Sequence, residues 1–268
     1  MSVQIMGVVN VTPDSFSDGG LFLDPERAIE QGRRLAAEGA ALLDVGGEST
    51  RPGAEPVSAG EEVERVEPVV RALAAAGLEV SIDTSKLAVA EAALAAGAGI
   101  VNDVTALRSD PAIAGLCADR GAGVVLMHMQ GEPRTMQEDP RYEDVVDDVR
   151  AFLAERLAFA VAEGVAEERV WLDPGIGFGK ALEHNLELLR RLAELRELGQ
   201  PIVVGTSRKT FIGKIDGSPV EARIGGSIAS MVLAVANGAE VVRVHDVAET
   251  AEALRVAEAV IGAGDWRS

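Results

Sequence analysis

Glu38-Gly39-Ala40-Ala41-Leu42-Leu43-Asp44 reads as the end of a helix, a glycine stop, and a short buried strand that finishes on a carboxylate. This reading decides the fold because the same unit recurs along the chain. Short apolar, often β-branched runs end abruptly in a polar group at Val8-Val9-Asn10, Leu42-Leu43-Asp44, Ser81-Ile82-Asp83, Ile100-Val101-Asn102, Leu126-Met127-His128, Trp171-Leu172-Asp173, Val203-Val204-Gly205-Thr206-Ser207 and Arg243-Val244-His245. A helix-length amphipathic stretch follows each one. Strands buried on both faces read as continuous apolar runs, and alternation with helices predicts a parallel sheet with right-handed crossovers. Eight such units predict an α/β fold, a closed TIM (β/α)8 barrel. In that architecture the active site lies at the carboxyl ends of the strands, so the eight polar ends should converge on one pocket.

The length of 268 residues suits one barrel, which commonly uses about 250, so residues 1–268 read as a single domain. Apolar residues make up 47% of the chain, yet no uncharged apolar run approaches the ~18 residues a membrane helix needs. The start, Met1-Ser2-Val3-Gln4, lacks the charged and apolar regions of a signal peptide. One cysteine cannot form an internal disulfide, and Cys117 beside Leu116 reads as a small buried hydrophobe rather than a nucleophile. A cytoplasmic location is the expectation. A formal net charge of −18 argues against nucleic acid and anionic membranes as partners, since both would be repelled. Only four of the 25 basic side chains are lysines, and Lys86, Lys180, Lys209 and Lys214 all follow predicted strand ends. Either they survive an arginine bias by chance, or a slim amine is needed where a planar guanidinium would not serve.

Helix boundaries are marked by residue chemistry. Asp24-Pro25, Asp110-Pro111 and Ser218-Pro219 each set a capping side chain before a proline suited to the first helical position. Gly39, Gly77, Gly97, Gly121, Gly164, Gly199 and Gly238 stand where helices should stop, as left-handed terminators do. The predicted helix over 219–237 is apolar nearly all round: Ile224, Ile228, Met231, Val232 and Val235 form a stripe, flanked by alanines and Gly225-Gly226. Such a helix is covered by something, either the barrel itself or a second subunit.

The loops after the strands carry the chemistry. Asn10 to Gly20 is long for its place and rich in turn formers, the profile of a lid. Gly46-Gly47-Glu48-Ser49-Thr50-Arg51-Pro52-Gly53 combines backbone amides, hydroxyls and a guanidinium, a set suited to phosphate or carboxylate. Asp173-Pro174-Gly175-Ile176-Gly177-Phe178-Gly179-Lys180 invites a P-loop reading that fails. Its lysine arrives one residue early, and Ala181 stands where magnesium coordination wants Ser or Thr. Asp83, Asn102 and Asp173 are aimed from strand ends into the barrel mouth, suited to the edge of a flat, nitrogen-rich ring; the alternative is that each merely caps the next helix. Arg243 and His245 share one face in period-2 alternation and can address one anion. No His, Cys and carboxylate grouping has zinc spacing, and no seryl acyl-transfer motif appears.

Taken together, these loops resemble the dihydropteroate synthases, pterin-binding enzymes of the folate pathway. The resemblance covers essentially the whole chain. Its motifs are Asn10 to Gly20, Asp44 to Gly53, Asp83-Thr84, Asn102-Asp103, Met127 to Gly131, Asp173 to Lys180, Ser207-Arg208-Lys209 and Arg243 to Asp246, with Pro133 to Tyr142 similar to the family's fifth loop. It implies condensation of 7,8-dihydropterin-6-ylmethyl diphosphate with para-aminobenzoate to give 7,8-dihydropteroate and pyrophosphate. It implies that Asp83, Asn102, Asp173 and Lys209 hydrogen-bond the pterin and that Arg243 stacks on it. Asn10, Thr50, Arg51, Arg243 and His245 would hold the diphosphate, with a magnesium ion (Mg2+) near Asn10. The aminobenzoate would lie against Phe178, Lys209 and Ser207, enclosed by Phe16, Thr50 and Pro52. Lys209, Arg243, Asp83 and Asp173 would carry catalysis, and the aminobenzoate pocket would be the target of sulfonamides. Ser85 departs from the bulkier residue, commonly tyrosine, that the family more often has there, and Thr206 is a milder variation.

An aryl amine is a weak, neutral nucleophile, so the reaction needs an activated carbon more than a general base, favouring an SN1-like step. Two alternatives share parts of this pattern. A pterin-dependent methyltransferase has no use for the Ser49-Thr50-Arg51-Pro52 loop, and a catalytically silent pterin-binding paralogue usually carries damaged loop residues, of which none is visible. The apolar 219–237 helix makes a homodimer the expected assembly.

Overall fold

The computed structural model describes residues 3–12, 25–49, 56–131 and 135–261. Eight strands form the sheet: β1 (Gln4–Asn10), β2 (Leu42–Gly46), β3 (Val80–Asp83), β4 (Ile100–Asp103), β5 (Gly123–Met127), β6 (Val170–Asp173), β7 (Val203–Val204) and β8 (Val241–Val244). Every pairing is parallel, in the order β6-β5-β4-β3-β2-β1-β8-β7. The ring is completed between the outermost strands by one bridge, Leu172 with Ile202, and the Leu172 amide donates to the Pro201 carbonyl at 2.9 Å. Helices separate the strands: α1 (Pro25–Glu38), α2 (Ala59–Ala75), α3 (Leu87–Ala96), α4 (Ala112–Arg120), α5 (Val145–Ala162), α6 (Leu182–Arg190), α7 (Thr210–Asp216), α8 (Ile224–Ala236) and α9 (Val247–Ile261). This is the TIM barrel that the alternating runs predict. Among the described residues, no helix is long and apolar enough to cross a membrane.

The apolar mass divides into two shells. Outward-facing strand residues such as Val9, Leu43, Val45, Ile82, Val101, Val124 and Leu172 pack against the helices in one continuous cluster. Inside the barrel, Met6, Leu42, Ile100, Val125, Val203 and Val241, with Trp171, form a separate layer towards the amino ends. Side chains two residues apart on a strand share a face. The inner layer therefore fixes what lies above it: Leu42 aligns Asp44, Ile100 aligns Asn102, Trp171 aligns Asp173, and Val241 aligns Arg243. An apolar plug with a polar layer stacked on it accounts for most of the run ends, but His128 follows the outward face of Val124 and Leu126 and meets Phe152 of α5 instead of the pocket.

Two local expectations change. β2 continues to Gly46, so Asp44 lies inside the strand, fully buried, rather than at its mouth. The helix expected over 219–237 is shorter: Val220–Ala222 is a 3-10 turn, and α8 begins at Ile224. The Arg223 guanidinium holds the turn by donating to the carbonyls of Ser218 and Arg208, both at 3.1 Å, while the buried Ser218 hydroxyl has no partner and caps nothing. The Asp24 cap lies outside the described residues, while the glycine stops and the Asp110 cap hold. All seven helix-stopping glycines have positive φ, and the Asp110 carboxylate accepts from the Ala112 amide at 3.3 Å.

Candidate active site

The polar layer inside the barrel is built around one guanidinium. Arg243 on β8 donates through Nε to Asp44 Oδ2 at 2.6 Å and through Nη2 to Asp83 Oδ2 at 2.7 Å. Asn102 Nδ2 donates to the same Asp44 oxygen at 3.0 Å. Asp83 is registered beside Asn102 on one side and Gly46 on the other, where a Cβ would already stand 3.4 Å from the Asp83 Cβ. Burial raises the Asp83 carboxyl to about 7; Arg243 opposes that rise, and the Asp44 and Glu62 carboxylates add to it. For Arg243, burial pulls downward, but Asp44 and Asp83 outweigh it and hold the group charged. Asp173 is buried at the end of β6, accepts from the Gly175 amide at 2.7 Å, and is also shifted upward by burial, against the pull of Lys209. Asp83, Asn102 and Asp173 are thus buried in one polar layer with the Arg243 guanidinium. Asp44, an inner support with no ligand role expected of it, ties Arg243 to Asn102.

The rim adds a second cation and a ring. Lys209 is half-buried at the start of α7; its ammonium donates to the Ile176 carbonyl and lies 4.6 Å from the Phe178 ring centroid. Burial lowers this amine to about 8, with Asp173 opposing and Arg243 reinforcing the shift. Phe178 packs on a small cluster of Val104, Met127, Met129 and Met136. Ser207 Oγ stands 3.0 Å from His245 Nδ1 and accepts from the His245 amide at 3.2 Å, which joins the ends of β7 and β8. Between Ser207 and Lys209, Arg208 adopts φ 57°, a strained conformation for a residue with a side chain. Three contacts hold it there: its amide donates to Ser227 Oγ at 2.8 Å, its carbonyl accepts from Arg223, and its guanidinium pairs with Asp246. Asn10 is half-buried at the end of β1, beside Gly46 in register.

The structure therefore brings Asp83, Asn102, Asp173, Arg243, Lys209, Phe178, Ser207, His245 and Asn10 to one end of one barrel. Phe16, Thr50, Arg51 and Pro52 lie outside the described residues. What is described of the second loop is its base. Glu48 accepts from the Val57 amide at 2.8 Å, and Lys86 donates to Glu48 Oε2 at 2.9 Å and to the Val57 carbonyl at 2.7 Å, with its third contact on Glu62 Oε2 at 2.5 Å. Among the described residues no three His, Cys, Asp or Glu side chains are grouped to hold a metal ion.

Residues 6–245 match the model of the pterin binding enzyme family. A dihydropteroate synthase of Neisseria meningitidis serogroup C is 48% identical over 261 residues, which cover 96% of this chain and 92% of the relative. The chain belongs to the dihydropteroate synthase family of pterin binding enzymes. Solved members share its shape. The Yersinia pestis dihydropteroate synthase in complex with a sulfonamide drug superposes with a TM-score of 0.93 at 45% identity, over 97% of this chain and 95% of that one. The Xanthomonas albilineans dihydropteroate synthase in complex with 7,8-dihydropteroate superposes with a TM-score of 0.87 at 47% identity, over 97% and 94%.

Against this dihydropteroate synthase framework, some site-building residues escape a reading of the strand ends. Asp103 is buried and accepts from the Thr105 amide, the Thr105 hydroxyl and the Leu107 amide at 2.7 to 2.8 Å, folding a turn in which Ala106 and Leu107 both have positive φ. Gln137, Tyr142 and Asn185 all donate to the backbone of the loop that carries Phe178. Asp103 follows Asn102 directly and so carries a positional signal. Gln137 and Tyr142 are set by contacts between loops distant in sequence, while Asn185 folds back from the first turn of α6 onto the loop just before it, and periodicity gives no sign of any of the three.

Proposed function

We propose that this chain condenses 7,8-dihydropterin-6-ylmethyl diphosphate with para-aminobenzoate, giving 7,8-dihydropteroate and pyrophosphate, as its family membership and its buried polar layer both support. The observation that carries the reading is the row Asp83, Asn102 and Asp173 inside the barrel, with Arg243 among them and Lys209 above. A flat heterocycle with donors along one edge meets acceptors there, Lys209 serves its acceptors, and Arg243 stacks on its face. Asn10, His245 and Arg243, with Thr50 and Arg51, hold the diphosphate. The aminobenzoate lies against Phe178, Ser207 and Lys209, with Phe16, Thr50 and Pro52 completing its pocket, where sulfonamides compete for the same space.

The chemistry follows from these roles. The bond between the methylene carbon and the diphosphate oxygen breaks first, its electron pair leaving with pyrophosphate, and the positive charge spreads into the dihydropterin. The aryl amine nitrogen then bonds to that carbon and loses a proton to the released pyrophosphate or to water. Arg243 and His245 stabilise the departing anion, and Asp83 and Asp173 stabilise the electron-poor ring. A magnesium ion fits as a guest of the substrate rather than a resident of the protein. Asn10 offers one neutral oxygen, Asp44 and Asp83 are committed to Arg243, and ions of this type commonly take most of their ligands from phosphate and water. When bound, it neutralises charge on the leaving diphosphate.

One barrel over 1–268, a homodimer and a cytoplasmic site complete the proposal. Apolar side chains exposed on α8 and α9 support the dimer, and a buried free thiol, pushed up to about 12 by burial, suits a reducing compartment. The test is direct. Purified protein with the pterin diphosphate, para-aminobenzoate and magnesium is expected to release pyrophosphate and form dihydropteroate. Absence of product from folded protein that still binds pterin would move the assignment to a silent paralogue.

A further inference from the structure

Five successive carbonyls, from Ile176 to Lys180, each accept a hydrogen bond from a side chain. Lys209 takes Ile176, Gln137 takes Gly177 at 2.5 Å, Lys180 takes Phe178 at 2.9 Å, Tyr142 takes Gly179 at 2.7 Å, and Asn185 takes Lys180 at 3.3 Å. Asn185 also accepts from the Gly177 amide at 2.6 Å. Of these five donors only Lys180 belongs to the loop itself, and it is the one amine among them that is fully enclosed, at 2% exposure. Its amine lies 2.9 Å from His128 Nδ1 and 3.3 Å from the His128 carbonyl. The ring stays neutral at neutral pH, because burial, Lys180 and Arg108 push it down to about 2. Burial also pushes the Lys180 amine well below its ordinary range, so amine and imidazole share one hydrogen bond whose direction follows the ring tautomer. The imidazole is itself pinned edge-on by Phe152 at 4.8 Å between centroids.

Burying an amine is costly, and an apolar side chain of similar length would fill the same volume at lower cost. The polar contacts of this amine are one imidazole and two carbonyls, and it donates to both carbonyls, one of them that of Phe178. Fixing that carbonyl fixes the peptide plane on which Phe178 hangs. We propose that Lys180 is a positioning residue: braced on His128, it orients Phe178 and so shapes the face against which the aminobenzoate ring lies. This rests on the proposed reaction for its kinetic consequence, but not for its structural one.

Lys180→Met removes the amine and keeps the length. The expected result is a KM for aminobenzoate raised about tenfold or more, with the KM for pterin diphosphate within about twofold, since Asp83, Asn102 and Asp173 are untouched. Lys180→Gln, which restores a donor, is expected to recover part of the loss. An independent readout is the fluorine spectrum of protein labelled with 4-fluorophenylalanine. Of its six phenylalanines, Phe178, identified with Phe178→Leu, is expected to shift or broaden in Lys180→Met, along with Phe152, which packs on His128 and reports the lost brace. Equal changes in both KM values, or an unmoved Phe178 resonance, would overturn the proposal. If Lys180→Met does not fold, Lys180→Gln and His128→Gln carry the same two measurements with the same criteria. Wild-type protein that makes no dihydropteroate would sink the reaction while leaving the fluorine result to decide the role of Lys180.

Discussion

At the scale of single residues, the site works in a narrow protonation window. Asp83 must be ionised to accept from a ring N–H, and its carboxyl sits at about 7. Lys209 must be protonated to donate, and its amine sits at about 8. The expected kcat/KM for pterin diphosphate is bell-shaped in pH, with limbs near these two values. A profile flat between pH 6 and 9 would refute the assignment, and Asp83→Asn should flatten the acid limb. Stability runs the other way. The Asp83 pKa is raised above its unfolded value of 3.8, so the contribution of its protonated form is complete below that value and is lost as pH rises through about 7. Denaturant titrations at pH 5 and pH 8 should therefore differ less in Asp83→Asn than in the wild type. In its ionised form Asp83 thus weakens the empty protein in the pH range where the proposed role requires it.

At the scale of elements, the loop after β6 is held by close backbone approach as well as by its row of donors. A Cβ on Gly175, at φ +68°, would stand 1.9 Å from the His128 carbonyl oxygen; one on Gly179, at φ +62°, would stand 2.4 Å from that of Gln130. Gly175→Ala is expected to cost on the order of 3 kcal/mol in chemical denaturation and to abolish aminobenzoate binding. A stability within experimental error of wild type would show that the loop can move away from β5. The same loop marks the limit of legibility in the sequence. Asp83, Asn102, Asp173 and Arg243 can be read directly because period-2 alternation puts them on the face of the inner apolar plug. The committed state of Arg243 cannot, since its bond to Asp44 depends on β2 running two residues past that carboxylate. Nor can the satisfaction of the five carbonyls, whose donors come from three separate stretches of chain. The late start of α8 has a similar cause: Arg223 reaches carbonyls on either side of α7, an interaction no helical period encodes.

At the scale of the whole molecule, the barrel leaves apolar side chains uncovered on α8 and α9, as well as Ile215 on α7 and Val161 on α5. Leu233 on α8 is 61% exposed, and Val256 and Val260 on the neighbouring α9 are 63% and 82% exposed. The expected assembly is a dimer at micromolar concentration in sedimentation equilibrium, and Leu233→Glu is expected to shift it towards monomer. A wild-type chain that remains monomeric at all concentrations would remove the dimer from the proposal. The seam of the barrel has a consequence of its own. Seven strand junctions are laddered, whereas β6 and β7 are joined by the single Leu172–Ile202 bridge, so the ring is a hoop with one clasp. Asp173 and Phe178 stand on one bank of that clasp, and Ser207 and Lys209 on the other. The Lys209 contact to Ile176 and its place over the Phe178 ring span that seam on the mouth side of the bridge. In the proposed reaction the aryl amine then lies across the junction of the wall that has the fewest backbone bonds, while the other seven are laddered.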